Sequence, residues 1–173
     1  SGSPDSNNVG RVTATLTMPG VTSPPNAVQR ETTKTLGTGD NRLLDATYRQ
    51  GALWLASHTG CGFDATPGAV TSCLRVMKVN VTPTAATLDF SMTYGAPDAF
   101  YYYPALTVDA AGNAYVVFGR SSANEFPSLR HTGIQPSDAG LQGSVELKAG
   151  ESAFTGSRWG SYFGAAPDPV GRN

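Results

Sequence analysis

Two apolar runs, at 105–108 and 114–118, flank the polar stretch Asp109-Ala110-Ala111-Gly112-Asn113. An Asp that can accept turn amides, placed shortly before a Gly that tolerates positive φ, predicts a hairpin. The flanking runs show almost no polar alternation, as expected of strands buried on both faces. Elsewhere the pattern alternates. Leu88, Phe90, Met92 and Tyr94 oppose Thr87, Asp89, Ser91 and Thr93, while Val145, Leu147 and Ala149 oppose Ser144, Glu146 and Lys148. These two runs predict strands with one wet face. In order, strands are expected over 42–48, 52–58, 73–81 and 87–94, then over 102–108, 114–120, 128–132 and 145–149. A lone alternating run at 12–18, with Val12, Ala14, Leu16 and Met18 on one side, predicts a further strand. Residues 20–40, with Pro24-Pro25 and no apolar stripe, read as a long surface-wrapping connection.

The same order of elements occurs twice, and glycines mark its period. Gly51, Gly112 and Gly171 recur at intervals of about 60 residues. GALWLAS (51–57) aligns with GNAYVVF (112–118), so Trp54 falls on Tyr115, and YYYPALTVDAAGN (101–113) aligns with SYFGAAPDPVGRN (161–173). Four antiparallel strands per unit, grading from buried to half exposed, predict an all-β fold: a partial β-propeller of four-stranded blades. Its single domain (1–173) divides into a partial blade and connection (11–41), a blade (42–100), a second blade (101–157) and the start of a third (158–173). A β-sandwich is the alternative; it suits the strand number but supplies no reason for the repeat. Two blades do not close a ring. The chain is therefore expected to be an excerpt of a longer polypeptide, or to complete its ring by self-association.

Composition narrows the function classes. The chain of 173 residues carries 12 Lys and Arg against 13 Asp and Glu, for a net charge of −1. Near-neutrality gives no electrostatic case for nucleic acid, and no apolar run approaches the length of a membrane span. Cys61 and Cys73 bracket the loop between the second and third expected strands, where an antiparallel hairpin would bring them together. A disulfide is expected, with two free buried thiols as the alternative. His58 and His131 lack ligand-like spacing to these cysteines and read as structural turn residues, so no metal and no cofactor is expected.

The segments RLLDATYRQGALWLASH (42–58), YYYPALTVDAAGNAYVVFGRSS (101–122) and SRWGSYFGAAPDPV (157–170) resemble the signature segments of a widespread group of secreted bacterial propeller-like proteins. The Asp-x-x-Gly-Asn-x-Tyr-Val turn is similar to bacterial β-propeller repeats generally. The resemblance runs from about Pro24 to the end, implies a secreted or cell-surface location, and carries no established activity. In that group the Arg-Trp-Gly segment often continues Asp-Tyr, where this chain has Ser161.

A candidate site follows from position in the repeat. Residues entering each first strand should gather at one mouth of a propeller: Asp40, Asn41 and Arg42, then 100–103, then Arg158, Trp159 and Tyr162. Aromatic faces with arginines suit sugars, peptide side chains or carboxylates. Arg42, Tyr102, Tyr103, Arg158, Trp159 and Tyr162 are therefore the expected ligand-binding residues, against the alternative that the rings simply fill the centre. The expected function is a secreted binding or scaffold module for a glycan or protein. A sialidase-like glycoside hydrolase is the second reading, using arginines at 42, 49, 75, 120, 130 and 158 with Glu125, Asp98 and tyrosines. No catalytic residue is assigned, because the Ser-x-Asp-x-Gly-x-x-Trp box of that family is absent.

Overall fold

The computed structural model describes residues 13–63 and 69–168. Its eight strands are β1 (Asp45–Arg49), β2 (Ala52–Gly62), β3 (Val70–Val81), β4 (Ala86–Tyr94), β5 (Ala99–Val108), β6 (Ala114–Ser122), β7 (Glu125–Ile134) and β8 (Val145–Lys148). They form two antiparallel four-stranded sheets, each in simple sequence order, with no helix among the described residues.

Two of the turns follow directly from their residues. Gln50 and Gly51 take φ of 49° and 77° between the paired Arg49 and Ala52, the two-residue arrangement that suits the right-handed twist of a hairpin. In the longer β5–β6 turn, the Asp109 carboxylate accepts the backbone N–H groups of Ala111 and Asn113, each at 2.9 Å, and Gly112 takes φ of 87°. Gly171, the third marker, lies outside the described residues.

Alternation decides which faces meet. Trp54, Ala56, Leu74 and Val76 on the first sheet face Leu106, Val108, Val116 and Phe118 on the second, and Tyr101 stacks on Phe118 with centroids 5.4 Å apart. Burying each of the larger side chains is worth about 2–3 kcal/mol, so this interface is the main source of cohesion between the sheets. A second, smaller core gathers Ala27, Leu36, Tyr102 and Tyr103, with Phe100, Trp159 and Phe163 against it. The connection over 20–40 supplies part of that core. It folds back on itself through a bridge between Ala27 and Leu36, and Gln29 ties it to Phe154.

Cys61 and Cys73 are joined in a disulfide with Cα atoms 6.0 Å apart. Both lie inside strands: Cys61 sits opposite Thr71 and Cys73 opposite Thr59, so the bond crosses the β2–β3 ladder diagonally. No described helix is long and apolar enough to cross a membrane.

Two expected strands differ. Val12 lies outside the described residues, and 13–18 form no strand. Leu16 and Met18 are half-buried, as the alternation implies, yet no sheet edge pairs with this run. Arg75 shows how the chain just beyond is held. Buried on β3, it donates from Nε to Ser91 Oγ and from Nη2 to the Pro19 carbonyl, each at 3.0 Å. At the other end, 161–162 are a turn and 163–168 irregular, with Gly164 and Pro167 interrupting the run. No third unit's strand begins at Tyr162.

Candidate functional site

Three separate stretches of chain meet beyond the start of β1, and His58 on β2 joins two of them. Its Nδ1 accepts the backbone N–H of Tyr103 at 3.1 Å, and its Nε2 lies 2.6 Å from the carbonyl oxygen of Asp40. A backbone N–H can only donate and a carbonyl can only accept, so the single ring proton sits on Nε2 and the imidazole is neutral. The ring is 1% exposed, and burial pushes its pKa below the usual 6.5 against the opposing pull of Asp40. From His58 the network runs outward. The Tyr103 hydroxyl donates to the Gly37 carbonyl at 2.6 Å, and the Gly37 N–H donates to the Ser157 carbonyl at 2.7 Å.

These bonds frame an open cleft of about 630 Å³ whose wall includes Asp40, Arg42, His58, Tyr103, Arg158 and Tyr162. Arg42 is engaged: its guanidinium grips Asp40 with two hydrogen bonds of 2.7 and 2.6 Å. Those bonds, with the Arg42 amide, hold the Asp40 carboxyl at about 2. Arg158 makes no ion pair or hydrogen bond within the described residues, and Tyr162 is 96% exposed. The cleft therefore offers one uncommitted guanidinium and one bare aromatic face. Another groove, of about 420 Å³, opens between the sheets near the far turns; the Arg49 guanidinium on its wall makes no ion pair or hydrogen bond within the described residues, while its other cation is engaged. Lys78 pairs with Asp89 at 2.9 Å and lies over the Trp54 ring.

Of the six expected ligand-binding residues, Arg42, Tyr103, Arg158 and Tyr162 come together on this wall, while Tyr102 and Trp159 stand behind it. β5 starts at Ala99, earlier than its apolar run suggested, so successive rings alternate sides. Tyr101 enters the inter-sheet core. Tyr102 is fully buried in the smaller core and cannot reach a ligand in the cleft; burial pushes its phenol pKa up. Trp159 is half-buried with its ring edge-on to Tyr102 at 6.4 Å. Tyr103 escapes the alternation because the ladder shifts by one residue between Tyr102 and Ala105, leaving it at φ of 53° before Pro104. This is a β-bulge, the kind of irregularity that re-aims a side chain. Pro104 inside an apolar run was the sequence signal for it. His58 had no comparable signal, since its partners lie 18 and 45 residues away.

The arginines required by a hydrolase reading are dispersed. Arg120 and Arg130 both pair with Glu125, at 3.1 and 2.8 Å, and Arg75 is buried under Pro19. Asp40 is the one carboxylate on the cleft wall among the described residues. No group of three or more His, Cys, Asp or Glu side chains there is placed to hold a metal ion. Comparison with known proteins finds no matching family model, no matching curated protein and no matching solved structure.

Proposed function

We propose that the chain is a segment of a secreted β-propeller and acts as a binding module whose cleft takes a small polar ligand bearing a carboxylate, of the acidic-sugar class. The propeller reading is supported by contacts between residues one repeat apart. Thr47 Oγ1 donates to the Leu106 carbonyl, the Leu106 N–H donates to Asp45 Oδ2, and Gln50 Nε2 donates to the Ala110 carbonyl, at separations of 59, 61 and 60 residues. Side-by-side equivalents at the first strands are what neighbouring blades require, whereas a sandwich carries no such rule. The disulfide supports an oxidising compartment.

The observation that carries the binding reading is the convergence of Arg42, Tyr103, Arg158 and Tyr162 on one cleft, with Arg158 uncommitted. A free guanidinium matches a carboxylate bidentately, and an exposed ring covers the apolar face of a sugar. Hydrolysis of the sialidase type, with a tyrosine nucleophile, is less well supported, because the carboxylate that would serve the tyrosine is engaged: Asp40 is held by Arg42, and Glu125 pairs with Arg120 and Arg130 away from the cleft. Calorimetric titration with N-acetylneuraminic acid, glucuronic acid and glucose tests the proposal. One of the acids is expected to bind, glucose at least tenfold more weakly, with Arg158→Ala costing about tenfold and Tyr162→Ala several-fold in affinity. No binding, or binding indifferent to both substitutions, overturns it. Turnover of a fluorogenic sialoside would favour the hydrolase.

A further inference from the structure

The cleft is assembled through a group that titrates. Its wall depends on a chain of hydrogen bonds from the Asp40 carbonyl to His58, from His58 to the Tyr103 amide, from the Tyr103 hydroxyl to Gly37, and from Gly37 to Ser157 beside Arg158. Two ties join the 37–40 stretch to the bulge in β5, the imidazole and the Tyr103 hydroxyl, and the imidazole is the one whose donor and acceptor roles change when it takes a proton. We infer that His58 is a proton-operated latch: neutral, it holds the wall of the cleft together, and protonated, it releases Tyr103 and loosens the wall.

The chemistry is local. A neutral ring accepts at Nδ1 and donates at Nε2, as both partners here require. The imidazolium donates at both, so its Nδ1–H would point at the Tyr103 N–H and the bond of 3.1 Å would become a repulsion. The Asp40 bond survives, because a carbonyl accepts from either form. Tyr103 is ready to move. It is a non-glycine residue held at φ of 53°, a conformation that L-residues adopt at a cost. Once its amide loses its acceptor, relaxation of the bulge carries the phenol away from Gly37 and loosens the tie to Ser157.

The groups facing His58 set when this happens. The 37–42 stretch presents Asp40, with Arg42 clamped on its carboxylate; β5 presents Tyr103, whose ring is 5.3 Å away edge-on; Arg158 and Tyr162 complete the wall. Burial disfavours the charged ring and Asp40 favours it, with burial the larger, so protonation falls below the ordinary histidine value.

The latch itself is independent of any ligand; its consequence, release of a bound acid at low pH, rests on the binding reading above. The test is amide hydrogen exchange at Tyr103 and Gly37, corrected for intrinsic rate, alongside ring ¹⁵N shifts of His58, from pH 7.5 to 4.5. Circular dichroism verifies the fold throughout. Protection at Tyr103 is expected to fall at least tenfold with the same midpoint as Nδ1 protonation, and His58→Gln should make it independent of pH. If that variant does not fold, the wild-type titration decides alone. Protection that persists while the ring protonates, or a ring that stays neutral until the whole chain unfolds, overturns the latch. In a parallel arm, affinity for N-acetylneuraminic acid should fall with the same midpoint. Failure of that acid to bind counts against the binding reading and leaves the exchange result standing.

Discussion

Gly51 and Gly112 hold equivalent turns one repeat apart, at φ of 77° and 87°. A Cβ there meets no closer neighbour than the Pro136 ring at 3.4 Å, so the penalty of substitution is conformational rather than steric. Gly51→Ala and Gly112→Ala should each destabilise by about 1 kcal/mol, read from urea midpoints. Acid sensitivity at this scale has two windows. His58 is buried neutral and its folded pKa is depressed, so the unfolded chain binds the extra proton. Its contribution is fully present above about pH 6.5 and is lost as pH falls through the lower folded value. The Asp109 carboxyl, despite a desolvation cost, is held down by hydrogen bonds from Asn113 and Ala111, so its contribution is lost only below the ordinary value of 3.8. Stability measured from pH 8 to 3 should therefore fall in two steps, and His58→Gln should remove the upper one.

Among the elements, β6 is closely overlaid at Gly119. A Cβ on Gly119 would overlap the Tyr102 ring and press on Trp159 at 3.2 Å. Gly119→Ala should therefore cost about 2 kcal/mol through overpacking and increase Trp159 fluorescence quenching as the 157–163 segment lifts. The β2–β3 ladder carries the disulfide across its diagonal, closing a short loop. Reduction should lower stability by about 3 kcal/mol, seen as a shift in the urea midpoint with and without reductant.

For the molecule as a whole, the repeat makes Trp54 and Tyr115 equivalent in sequence, but the two residues have different surroundings. Trp54 is 6% exposed against the second sheet and edge-on to Phe90, while Tyr115 on the opposite face of the second sheet is 43% exposed. Trp54→Ala should cost about 3–5 kcal/mol, and Tyr115→Ser should stay within about 0.5 kcal/mol. Thermal denaturation of both variants checks this contrast.

Strand alternation, the turns at Gln50-Gly51 and Asp109–Asn113, and the pairing of Cys61 with Cys73 were legible in the chain alone. Each depends on residues within a dozen or so positions, where side-chain period and backbone φ act directly. Six residues were expected to gather from the repeat; Arg42, Tyr103, Arg158 and Tyr162 meet at the cleft, while Tyr102 and Trp159 do not line it. The tertiary structure decided the rest. The alternation at 13–18 stated a preference that none of the open sheet edges takes up, and Tyr162 had no strand to join once Gly164 and Pro167 interrupted the run. A one-residue bulge before Pro104 sent Tyr102 into the core and Tyr103 to the cleft, since any shift of one residue exchanges the faces of a strand. His58 became the join of the site only because Asp40 and Tyr103 arrive from distant parts of the chain, and a hydrogen bond across such separations leaves no period in the sequence to read.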